Sequence, residues 1–92
     1  MQEELEGYNE ILSSFDAVQI EALKLMSQGH GIAYIGSHLY VEAAREEVRL
    51  YGADIASTAF DMAKDLIQGI YGKLETNNPT KIKQIYDNWL KG

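Results

Sequence analysis

From Ser37 to Glu75 the chain runs thirty-nine residues without a proline. Over that stretch Val41, Ala44, Val48, Tyr51, Ile55, Ala59, Met62, Leu66 and Ile70 follow one another at intervals of three or four. Such spacing gathers apolar side chains on one stripe of an α-helix. The stripe constrains the fold more than any other feature, because a helix with an apolar face must have that face covered. It carries little information about chemistry.

The remaining segments read as helix too. Over residues 3–28, Leu5, Tyr8, Leu12, Phe15, Gln19, Ala22 and Met26 keep a three–four rhythm, with Ile11, Val18 and Leu25 widening it. The rhythm passes through Ser13 and Ser14 without a change of phase, so one continuous helix is expected, stopped by Gly29. Residues 29–37 hold three glycines around Ile32, Tyr34 and Ile35. They read as a connector plugging the end of the bundle, with Ser37 as N-cap of the next helix. A glycine-rich loop before a helix also suggests a phosphate cradle, but the preceding strand and the lysine of a P-loop are missing.

Gly52 interrupts the long segment at a cost of about 1 kcal/mol relative to alanine. The stripe stays in phase across it, which favours a continuous, bent helix of about 55 Å. Beyond Asn77-Asn78-Pro79, with Thr80 as the expected N-cap, residues 81–91 place Ile82, Ile85, Tyr86, Trp89 and Leu90 at helical spacing. This last helix is expected to cover a second apolar strip on the long segment, formed by Phe60, Ala63, Ile67, Tyr71 and Leu74, while the first helix covers the main stripe. The expected architecture is therefore all-α: one domain over residues 1–92, an antiparallel bundle of two long helices plus a short C-terminal helix.

Composition narrows the function classes. The formal charge of −6 disfavours nucleic acid and anionic lipid. No apolar run reaches the ~20 residues of a membrane span, and the acidic start at Glu3, Glu4 and Glu6 is unlike a signal region. A cytoplasmic location is the default expectation. The 92 residues contain no cysteine, so no disulfide or thiolate site staples the fold. Residues 1–28 carry a net −5, from six acids against Lys24, and residues 76–92 a net +2, from three lysines against Asp87. Dipole matching and mutual attraction of the chain ends account for this asymmetry; an acidic surface for a basic protein partner is the sharper reading.

Three groups of residues bear on chemistry. Glu42 with Glu46, and Asp61 with Asp65, are paired carboxylates at i, i+4 of the kind that hold Mg²⁺ in all-α nucleotide pyrophosphohydrolases. Convergence of the four would make such an enzyme the alternative reading. On a helical wheel, however, Glu46 lies nearly opposite the apolar stripe and Glu42 and Asp61 about 130° from it, so a solvated face is expected. His38 with Glu42, and His30 as a third, falls short of the usual zinc ligand set. No serine sits in a nucleophile elbow. No metal or cofactor is expected.

The aromatics form the third group. Six tyrosines against two phenylalanines suit rings that are buried while their hydroxyls stay wet, a pattern enriched at interfaces. Ile20 and Leu50 fall on the backs of their helices. Residues 29–37 lack a tryptophan, so the Trp-x-Gly turn of the small WXG helical hairpins is absent. The reading that follows is a non-enzymatic protein–protein interaction module, a small homodimeric regulatory, immunity or adaptor protein. Its contact is expected near Tyr40, Val41, Val48 and Tyr51, where shorter helices leave the long one thinly covered.

Overall fold

The computed structural model describes the backbone of residues 2–51 and 57–92, and the side chains of 5–46, 48–50 and 58–92. These residues are all-helical, with no strand among them, and form six helices instead of three. In order they are α1 (Gln2–Ser13), α2 (Ala17–Ser27), α3 (Ile32–Leu39), α4 (Val41–Tyr51), α5 (Ser57–Leu74) and α6 (Pro79–Lys91).

The expected first helix is divided at Ser14–Asp16. Asp16 is an N-cap whose carboxylate accepts from the Gln19 amide at 2.8 Å, while the Gln19 side chain accepts from the Asp16 amide at 2.9 Å. This reciprocal pairing is a capping box, and it starts a new helix although the apolar phase never changes. Leu12 in the last turn of α1 and Phe15 within the break are both buried. The serine hydroxyls also contribute, since Ser13 donates to the Asn9 carbonyl and Ser14 to that of Ile11. Gly29 ends α2 as expected. With φ of 89°, it lets its own amide reach Met26 and the His30 amide reach Leu25, closing a Schellman motif.

The long segment is not one helix. Residues 29–37, read as a connector, contain most of α3, and Ser37 is no cap but an interior residue whose hydroxyl donates to the Tyr34 carbonyl at 2.8 Å. The chain kinks at Tyr40 (φ −117°, ψ 36°) before α4 begins. No glycine, proline or capping side chain marks that kink. Further on, Ala44 of α4 and Ala59 of α5 line one cleft. In a single straight helix they would stand about 22 Å apart, so α4 lies against the first turns of α5 instead of extending in line with it. Gly52 itself lies outside the described residues.

α5 is the central element. Ala59, Ala63, Ile67, Ile70 and Leu74 are buried at intervals of three and four, drawing on both expected strips, whereas Phe60 and Met62 are exposed. α3 packs most extensively along α5. α6 does not take the role expected of it: its main partners are α1 and α2. It is anchored there by Ile82, Ile85 and Tyr86, with Trp89 only partly buried. Its cap is Asn78, not Thr80. The Asn78 side chain accepts from the Thr80 and Lys81 amides, and Pro79, which has no amide hydrogen, fills the first helical position. Ile20 packs at the margin of the core, while Leu50 is exposed as expected. Each fully buried Ile70, Leu74 or Ile85 contributes roughly 1.5–3 kcal/mol of transfer free energy.

One contact fixes the spacing of α3 and α5. A Cβ added at Gly36 would sit 2.9 Å from the Ala59 carbonyl oxygen and 3.5 Å from the Ala63 side chain. The obstacle is backbone and cannot swing aside. Gly36→Ala should therefore destabilise the fold by about 1–3 kcal/mol through overpacking. Gly69→Ala, on the open face of α5 with nothing within 4 Å, should be neutral or stabilise by up to about 1 kcal/mol. Urea unfolding of the two variants checks the contrast. A second test is Asp16→Ala, which removes one half of the capping box and should cost about 1 kcal/mol in the same assay.

Candidate functional site

α4 is strongly amphipathic, with Val41, Ala44 and Val48 on one side and Glu42, Arg45, Glu46 and Arg49 around the rest. Among its described side chains none is buried. Val41 and Ala44 are half-buried, and Val48 is 38% exposed. Together with Ser37 and the stems of Arg45 and Arg49 they line an open, mainly apolar groove of about 360 Å³. A second cleft, lined by Ala33, Ser37, Ala44, Ala59 and Phe60, shares Ser37 and Ala44 with it. The first is bounded by α3 and α4 and carries exposed Val48, and the second reaches the start of α5 and carries exposed Phe60.

Ion pairs along α4 organise its polar side. Arg45 Nη1 stands 3.3 Å from Glu42 Oε1. The Arg49 guanidinium grips Glu46 through two nitrogens, Nε at 3.2 Å from one oxygen and Nη2 on the other. That hydrogen bond holds the Arg49 pKa above its ordinary value. All four side chains are exposed, so each pair adds little to stability.

Of the residues expected at a contact, Tyr40 is half-buried and packs on the core margin, while Val41 and Val48 line the groove. The Tyr51 side chain lies outside the described residues. α3, within the stretch read as a connector, borders the groove through Ser37. The sequence reading passed over Ser37, Ala44, Arg45 and Arg49 as lining residues. Ala44 belongs to the expected apolar stripe and Arg45 adjoins Val41 on the helical wheel, whereas Arg49 falls outside the expected apolar face.

The carboxylates of the enzyme reading are dispersed. Glu42 and Glu46 are paired with arginines on their own helix, and Asp61 and Asp65 are exposed on α5. Among the described residues no three of His, Asp or Glu come together in a geometry that holds a metal ion. His38 turns away from Glu42 and faces Glu21 of α2, with Nε2 3.5 Å from the carboxylate. His30 stacks on Tyr34 with ring centroids 3.8 Å apart, and Tyr34 runs nearly parallel to His38 at 6.2 Å. This i, i+4, i+8 ladder runs from the half-buried His30, ahead of α3, onto the exposed side of that helix. A smaller cleft of about 170 Å³, bounded by Met26, Gly29–Ile32, Ile67, Tyr71 and Ile82, is apolar apart from His30 and Tyr71. None of the described helices is long and apolar enough to cross a membrane.

Comparison with known protein families, with curated proteins and with solved structures finds no match to this chain.

The dispersal of the acids has a direct check. Replacing Glu42, Glu46, Asp61 and Asp65 together by glutamine should leave the helical circular dichroism intact and shift stability by no more than about 0.5 kcal/mol per site. Mg²⁺ titration should leave the Tm of parent and variant unchanged. A rise in the parent alone would mean that the acids do converge on a cation, because a ligand that binds only the folded state stabilises it.

Proposed function

We propose that this chain is a non-enzymatic protein–protein interaction module of the cytoplasm, a small homodimeric regulator, immunity or adaptor protein, and that its contact surface is the groove on α3 and α4. The observation that carries the reading is α4 itself. It is an amphipathic helix of eleven residues with no buried side chain among those described. An amphipathic helix in a single chain ordinarily hides its apolar stripe in that chain's core. Here Val41, Ala44 and Val48 line an open groove instead.

The dimensions of the molecule support the same reading. Its radius of gyration is 14.6 Å, against about 12 Å for a compact domain of this length. Its accessible surface is 5897 Å², roughly 500 Å² more than monomeric proteins of this mass expose. Standard interfaces remove about 800 Å² per partner, so an excess of that order is suited to being covered by another chain. Arginine is over-represented at such contacts, and Arg45 and Arg49 line this surface. A basic protein partner would find its complement elsewhere, on the acidic α1.

The reading is tested by placing a charge in the groove. Val48→Asp should lower self-association at least about tenfold, measured by sedimentation equilibrium at micromolar concentration. Helical content should stay unchanged, because Val48 is 38% exposed and lies outside the core. A parent that sediments with the mass of one chain across that range refutes the homodimer.

A further inference from the structure

The cleft where the α2–α3 turn meets α5 and α6 lies apart from the groove and shares no lining residue with it. Gly29 and Gly31 line it without side chains, and a Cβ at either would meet nothing within 4 Å. Its apolar lining includes Ile67 and Ile82, both buried, and Met26. Two polar side chains, His30 and Tyr71, also line it. The His30 ring is positioned by its stack on Tyr34, with centroids 3.8 Å apart. Among the described residues, neither the His30 ring nitrogens nor the Tyr71 hydroxyl has a hydrogen-bond partner.

Size and charge narrow what such a cleft can hold. Its volume of about 170 Å³ is close to the roughly 150 Å³ of an apolar protein cavity that takes up benzene. It is well below the roughly 300 Å³ at which pockets for drug-sized ligands begin. No carboxylate, lysine or arginine is among the lining residues. A charged ligand would find no counter-ion there, and burying an unpaired charge is costly. Water is a poor filler, because a space of several water volumes, at about 30 Å³ each, is served by only two polar side chains. Loosely held water of this kind is displaced with a gain in affinity by an apolar group.

From these properties we infer that the cleft binds a small neutral phenol, a single aromatic ring carrying a hydroxyl. Aromatic walls and a methionine favour a ring over an aliphatic chain of the same size, through ring–ring and sulfur–aromatic contacts. The two uncommitted polar side chains then select for the hydroxyl. A phenolic hydroxyl both donates and accepts, so it suits an imidazole nitrogen at His30 and the hydroxyl of Tyr71. A purely apolar cavity would reject the same ligand, because its hydroxyl would be left unpaired. The inference is independent of the homodimer reading.

Phenol titrated into the isotope-labelled full chain, followed by amide chemical shifts, tests the site. The shifts should saturate with a Kd of about 1 mM, reasonable for a ligand of roughly seven non-hydrogen atoms. They should centre on Gly29, His30, Gly31 and Tyr71. Tyr71→Phe removes one hydroxyl and keeps the ring. It should weaken phenol at least about threefold, the loss of one modest hydrogen bond, and leave the binding of toluene unchanged. N-acetyltyrosinamide, which carries the same phenol on a peptide backbone, should bind no more tightly than phenol. Tighter binding would assign the cleft to a tyrosine of another protein chain and overturn the small-ligand reading. Shifts that fail to saturate by about 10 mM phenol, ten times the expected Kd, or that centre away from the cleft, overturn the site. Equal effects of Tyr71→Phe on phenol and toluene overturn the selection for a hydroxyl.

Discussion

The approach of α3 to α5 at Gly36 is the contact on which the arrangement of the other helices depends. With no Cβ at Gly36 and only a methyl at Ala59 and Ala63, the two backbones come within direct contact. α4 then leaves α3 at Tyr40 and settles on the first turns of α5, where Ala33, Ser37 and Ala44 continue the run of small side chains. The other end of α5 is built differently. There Ile70 and Leu74 belong to the same core as Leu12, Leu23, Leu25 and Ile85, large residues from α1, α2 and α6. Transfer free energy scales with apolar area. The small-residue end therefore gains geometric closeness but little burial, and the exposed groove is found at that end.

The stop at Gly29 was legible from glycine's left-handed conformation. Periodicity revealed the helical class and part of the inward faces of α5 and α6, although it also counted the exposed Phe60, Met62 and Leu90 among the inward residues. It did not reveal where helices begin. The break at Asp16 leaves the apolar phase untouched, so only the capping box of Asp16 with Gln19 announces it. Asn78 was likewise legible once Pro79 was recognised as a first-turn residue. The kink at Tyr40 and the fold-back of α4 onto α5 have no such local signature. They follow from which surfaces meet, and a wheel drawn for one helix carries no information about that. For the same reason α6 was assigned to the second strip of α5, where its main partners are α1 and α2.

The candidate surface was partly legible. Val41 and Val48 were identifiable from thin coverage, and their carboxylate neighbours were placed outward by the same wheel. The contribution of Arg45 and Arg49 needed the fold, because an arginine stem becomes a wall only when a groove exists beside it. The pairing of His38 with Glu21 also needed the fold, since the two lie seventeen positions apart on different helices.

The absence of buried side chains among those described on α4 bears on how the molecule breathes. Resistance of a helix to local opening comes chiefly from the apolar contacts that opening would sever. α5 would lose five buried residues, but α4 only the edges of half-buried ones. Opening α4 should therefore cost less than opening α5, so that the amides of α4 exchange first. If α4 is covered only by association, its protection becomes a function of protein concentration. Order in this helix would then be a collective property of two chains, while the core around Ile70 and Leu74 is ordered within one.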